Sequence, residues 1–172
     1  MQKKRISSII IYLVGVVVLT FIDQITKVMA VDALKGKAPF EIISGVFEFY
    51  YLENKGAAWG VMSGARIFFL VLTVVIVALI IYVSAKMPHN KRMLPLRIVL
   101  IILSAGAIGN FIDRLYLGYV RDFIYFKLIN FPIFNVADIY VTVSMIVLLL
   151  LVLFYYKDED DFAFLSPKKK GK

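Results

Sequence analysis

The stretch Gly109-Asn110-Phe111-Ile112-Asp113-Arg114, followed by Val120-Arg121-Asp122-Phe123-Ile124 and then Phe134-Asn135-Val136-Ala137-Asp138, decides how this chain is read. Aspartates, arginine and asparagines crowd between two long apolar runs, Ile98 to Leu117 and Ile133 or Asn135 to Tyr156. Polar groups at the edge of hydrocarbon are costly to place and call for a reason. Here the reason is a site, with carboxylates as its chemistry.

Composition supports the hydrocarbon setting. Of 172 residues, 61% are hydrophobic, and the mean hydropathy is +0.84, above the usual range for a soluble domain. The length leaves room for about four spans of ~20 residues. Cysteine is absent, which removes disulfides, thiolate nucleophiles and Cys-based metal sites. The net charge of +8 would suit nucleic acid on a soluble face. Its basic residues instead sit at the ends of apolar runs, as topology signals do, so no nucleic-acid partner is expected.

Working outward, the fold class is a mainly α membrane protein. It has four transmembrane helices and a small extracytoplasmic β-sheet between spans one and two. Lys3, Lys4 and Arg5 followed by the apolar run Ile9 to Ile22 resemble the start of a cleavable signal peptide, but no small-x-small site follows. A retained first span, Ser8 to Val31, is the expectation. Asp23 and Lys27 are four apart on it and share a helix face. Two short strands, Ile42-Ile43 and Val46 to Leu52, are expected around Ser44-Gly45, aromatic enough to lie at the headgroup level. The segment Asn54 to Gly60, with Trp59, is rich in small residues that allow close backbone approach. The second span is Ile67 to Ala85 and the third Ile98 to about Leu117, with Gly118 to Pro132 a partly extended loop. A single domain over residues 1–157 is expected, with 158–172 a charged, disordered tail.

Counting Lys and Arg puts Lys3, Lys4, Arg5, Lys86, Lys91, Arg92, Arg97 and Lys157 on one side with both termini. That side is cytoplasmic by the positive-inside bias. The polar stretch then lies at the outer face and the single histidine, His89, at the inner one, so a Ser-His-Asp arrangement is not available. Neither an HExxH metal site nor a Gly-rich phosphate loop is present; no metal and no cofactor are expected. Carboxylates remain. Two aspartates held close share one proton and can act together as general acid and base. Spacing alone does not single out two among Asp23, Asp113, Asp122 and Asp138. Asp138 begins the fourth span, where a helix N-terminus favours its charge, and Asp122 lies in the loop before it. Asp113, next to Arg114, better suits an ion pair or a helix-end hydrogen bond.

Four stretches carry a family resemblance: Asp23-Gln24-x-x-Lys27; Asn54-x-Gly56-Ala57-Ala58; Gly109-Asn110-x-x-Asp113-Arg114 with Val120-x-Asp122-Phe123; and Phe134-Asn135-x-Ala137-Asp138. In this order, on a four-span pattern, the chain resembles the lipoprotein signal peptidase (signal peptidase II) family of bacterial membrane aspartyl peptidases. The resemblance implies an aspartic endopeptidase that cuts a prolipoprotein just before its diacylglyceryl-modified cysteine, at the outer face of the cytoplasmic (inner) membrane. It implies Asp122 and Asp138 as the catalytic pair. Asn54, Asn110, Arg114 and Asn135 would line the site, Asp23, Lys27 and Asp113 would support it, and Gly56 and Ala137 belong to the same substrate-binding or supporting set. Membrane lipids and globomycin-type inhibitors are expected partners, and a monomer the expected state.

Two other classes fit the spans. A proton-coupled transporter would use such aspartates as a relay, with carboxylates near the midplane and internal repeats. A scaffold would leave the concentration of carboxylates unexplained.

Overall fold

The computed structural model describes residues 2–56 and 64–165. Four helices dominate: α1 (Gln2–Leu34), α2 (Arg66–Lys86), α3 (Leu94–Tyr116) and α4 (Val136–Leu150), the last prolonged by a π-helical turn over Leu151–Tyr155. Each is long and apolar enough to cross a bilayer. Helix α3 starts one turn earlier than the apolar run alone suggests, because Pro95 falls in its first turn, where the missing N–H costs no hydrogen bond.

The helices surround α3. In its most apolar 18-residue window 44% of the residues are buried, against 6% for α2. Much of the outer surface of α1, α2 and α4 is large apolar side chains, as a lipid-facing wall requires. Close packing rests on two glycines of α3. A Cβ at Gly106 would stand 2.6 Å from the carbonyl oxygen of Ala137, and one at Gly109 would stand 2.5 Å from Asp23 Oδ2. Only hydrogen side chains let α1 and α4 come this near.

Strands β1 (Phe40–Ile43), β2 (Phe47–Asn54) and β3 (Val120–Tyr125) form an antiparallel sheet in the order β1-β2-β3. Gly45, at φ +70, makes the expected hairpin turn between the first two. The third strand departs from expectation: the sheet is completed by the connection between α3 and α4, read from sequence as a loop. Its pairs with β2 are Glu48↔Tyr125, Phe49↔Ile124, Leu52↔Asp122, Glu53↔Arg121 and Asn54↔Val120. An irregularity in β2 between Phe49 and Leu52 interrupts the alternation of faces of a regular strand.

The chain after Lys157 also differs from expectation. Glu159–Leu165 forms a 3-10 segment, tied to the α2–α3 turn through Arg92, whose guanidinium bonds Asp158 and Asp161. Phe162 and Phe164 pack against the apolar cluster of Met87, Met93, Leu96 and Tyr156. The expectation of disorder weighed the charges and overlooked that these two rings have a core to join. Residues 166–172 lie outside the described residues, as do Ala57, Ala58, Trp59 and Gly60 of the expected small-residue loop.

Candidate active site

The sheet-bearing end of the bundle holds most of its buried charged and amide side chains, among them Asp23, Lys27, Asn110, Asp113, Asp122 and Asn135. Helix α4 begins there with a reciprocal cap: the Asn135 side chain accepts from the Asp138 N–H at 3.0 Å, and Asp138 Oδ2 accepts from the Asn135 N–H at 3.0 Å. The residues just before α4 pair with β3, Phe134 exchanging backbone hydrogen bonds with Ile124. That pairing carries Asn135 alongside Asp122, and the Asn135 side-chain amide donates to Asp122 Oδ1 at 2.6 Å. One asparagine therefore bonds both carboxyls, through its amide on one side and its backbone on the other.

The remaining carboxyl oxygens are held from two other elements. Asn54, at the end of β2, donates to Asp122 Oδ2 at 2.9 Å, and its own oxygen accepts from the Gly56 N–H at 2.9 Å. Asn110 of α3 donates to Asp138 Oδ1 at 2.7 Å. All four carboxyl oxygens thus receive one N–H each, which fixes the orientation of both groups. Burial pushes the Asp122 carboxyl up to about 7, the neighbouring Asp138 charge adding to the effect against the hydrogen bonds from Asn54 and Asn135.

Beneath the carboxyls lies a charge network. Lys27 Nζ is 2.9 Å from Asp23 Oδ2 and 3.6 Å from Asp113 Oδ2, all three side chains fully buried. Asp23 Oδ1 accepts from the Ala137 N–H at 2.9 Å, one residue before Asp138. Asp113 pairs with Arg121 at 2.6 Å, not with its neighbour Arg114. Asp113 thus serves in an ion pair, but with Lys27 and Arg121, since adjacent helix residues point about 100° apart and Arg114 faces another way. Arg114 turns instead toward the site, 4.7 Å over the Phe69 ring of α2 and within 3.3 Å of the Gly56 carbonyl.

Gln24 and Arg121 stand in the stretches quoted from the sequence but carry no site role there. Gln24 bonds Asp23, Asp113 and the Gly109 carbonyl while accepting from Arg121. The strand geometry of β3 accounts for Arg121: with Asp122 facing one way, Arg121 faces the other, toward Asp113.

A cavity of about 420 Å³ opens over this floor. Asn54, Asn110, Arg114, Asp122 and Asp138 give it a polar base, and Phe131, Ile133, Ile139 and Val143 an apolar wall.

Fold and site together define a multi-pass membrane protein with two hydrogen-bonded carboxyls at one end of a four-helix bundle. The sequence model described as signal peptidase (SPase) II matches residues 15–154. The lipoprotein signal peptidase of Caldanaerobacter subterraneus subsp. tengcongensis is 42% identical over 137 residues, covering 79% of this chain and 91% of that protein. The lipoprotein signal peptidase of Streptococcus pyogenes serotype M5 is 41% identical over 149 residues, covering 86% of this chain and 92% of its own. A solved structure described as a bacterial membrane enzyme superposes with a TM-score of 0.73 at 31% identity, covering 94% of each chain. The chain belongs to the signal peptidase II family, and is a membrane protease of that family.

Proposed function

We propose that this protease removes signal peptides from diacylglyceryl-modified prolipoproteins by aspartic catalysis, cutting just before the lipidated cysteine, with Asp122 and Asp138 as the catalytic residues. The observation that carries the reading is the double hold of Asn135 on both carboxyls, at 2.6 Å to Asp122 and 3.0 Å to Asp138, on the polar base of a cavity with an apolar wall.

The pair works holding one proton. The ionised carboxyl takes a proton from water as its oxygen attacks the scissile carbonyl, while the protonated carboxyl donates to the carbonyl oxygen. In the collapse of the tetrahedral diol the protonated carboxyl gives its proton to the departing amine while the other takes one from a diol hydroxyl, so that the C–N bond breaks to leave acid and amine and the pair again holds one proton. The two groups titrate as a unit, so neither holds a fixed role. Asn54, Asn110 and Asn135 hold the carboxyls in place. Arg114, with the Gly56 carbonyl beside it, is suited to the substrate backbone. The apolar wall on α4 suits the acyl chains of the modified cysteine.

With both termini on the Lys/Arg-rich side, the carboxyls open toward the outer face of the cytoplasmic membrane. Membrane lipids and globomycin-type inhibitors are further expected ligands, and the protein acts as a monomer. The test is incubation of the purified protein with a diacylglyceryl-modified precursor beside its unlipidated twin. Cleavage of the first alone is the expected result; equal cleavage of both would remove the lipid from the recognition scheme.

A further inference from the structure

We infer that Lys27 is a positioning residue for the carboxyl pair: it fixes which way the Asn110 amide faces and supplies the buried positive charge that lets one member of the pair ionise. The inference rests on the aspartic reading above and deepens it.

Lys27 Nζ donates to Asn110 Oδ1 at 2.9 Å. A second donor, Asn135 Nδ2, reaches the same oxygen at 3.1 Å. An ammonium can only donate, so it excludes the flipped amide, in which an NH2 would face Nζ. With the oxygen committed to Lys27, the Asn110 NH2 must point at Asp138 Oδ1, where it stands at 2.7 Å. Were the amide reversed, its oxygen would confront a carboxylate. From Lys27 the chain of contacts reaches Asp138 through one asparagine, and Asp122 through Asn110 and Asn135.

Charge reinforces orientation. The charged groups packed around the pair are Asp23 and Lys27 from α1, Asp113 and Arg114 from α3, and Arg121 from β3. From β2 the pair meets the neutral Asn54. Asp23 and Asp113 are balanced by Lys27 and Arg121, and Arg121 is committed to Asp113 and Gln24. With Arg114 the shell carries one positive charge in excess, and loss of Lys27 leaves it neutral, which makes the Asp122 carboxyl hold its proton to higher pH.

The test compares Lys27→Gln, which is neutral but can still donate, with Lys27→Met, which cannot. In both, the pH–rate profile of kcat for the lipidated precursor should move up by about one pH unit. At its own optimum, Lys27→Met should lose at least ~10-fold in kcat, and Lys27→Gln clearly less, with KM changed little in either. Lys27→Met leaves Asp23 unpaired and threatens folding, so Lys27→Met with Asp23→Asn is made beside it. That neutral exchange should bring the profile back toward wild type while kcat stays low. Thermal unfolding in micelles is measured for every variant. A drop in Tm with an unmoved pH profile in the folded enzyme would overturn the electrostatic role. Equal kcat for the Gln and Met variants at their optima would overturn the orienting role. Asp122→Asn and Asp138→Asn run in parallel: if either cleaves normally, it is the aspartic reading that fails.

Discussion

Both ends of the bundle are tied by ion pairs, but the ties differ in kind. At the sheet end, Lys27, Asp23 and Asp113 are fully buried, and Arg121 joins them. At the end where α2 turns into α3, Arg92, 40% exposed, holds Asp158, 74% exposed, and Asp161, which is buried at the edge of the apolar cluster but reached from solvent through the guanidinium. Buried charges cost several kcal/mol each to desolvate and are retained only where every partner is in place. Exposed pairs cost little and return little. The contrast teaches that the sheet end is built for exact placement of side chains, whereas the other end fastens a segment of chain.

The largest expected effect is at the carboxyls. Asp122→Asn and Asp138→Asn should each lower cleavage of the lipidated precursor by ~10³-fold or more, with the protein folded and inserted. A variant that retained normal cleavage would dissolve the contrast, because the sheet end would then hold buried charge without using it.

Next comes the network beneath. Asp113→Leu removes the shared partner of Lys27 and Arg121 and should cost about 3–5 kcal/mol of stability by leaving buried charge unpaired. Thermal unfolding in micelles measures it. A loss no larger than that of an exposed pair would mean the network is far better solvated than its burial implies.

A smaller signal comes from pH. The Asp122 carboxyl lies well above its ordinary value in the folded protein, about 7, so between pH 4 and 7 the folded state binds more protons than the unfolded one. Its favourable contribution is present below pH 4 and is lost as pH rises toward 7. Relative to wild type, Asp122→Asn should therefore gain in Tm between pH 5 and pH 8. A difference that stays flat with pH would show that Asp122 titrates near its ordinary value. For cleavage, the same coupling gives a bell-shaped profile that falls once both carboxyls ionise.

Much of this was legible in the sequence, and the gaps have physical causes. The four spans follow from apolar runs of the right length, and the clustering of polar side chains at one end follows from the cost of placing them anywhere else in hydrocarbon. Asn135 and Asp138 are three apart, which suffices for a helix cap. Strand β3 was not legible, since its partners Leu52 to Asn54 lie across two helices and no local pattern names them. Asp113's true partner was half legible: helix geometry rules out Arg114, yet only the sheet brings Arg121 to it. The packed segment 158–165 was hidden by its charges, because Phe162 and Phe164 read as stray rings until the cluster around Tyr156 is seen beside them.

That segment supplies the smallest and most discriminating prediction. Two forces hold it, the Arg92 ion pairs and the packing of Phe162 and Phe164, and salt separates them. Arg92→Ala should lower Tm by a few degrees at low salt, and 0.5 M salt should shrink the difference, because the open Arg92–Asp158 pair is already screened there while the buried Asp161 keeps part of the loss. Phe162→Ala should lower Tm by a similar or greater amount that salt leaves in place, since burial of a ring is not an interaction between charges. Neither change should alter the pH–rate profile, because no charge near Asp122 or Asp138 is touched. A shift of the profile in Arg92→Ala would mean that the two ends are coupled through α3 after all, and that the second end does more than fasten the chain.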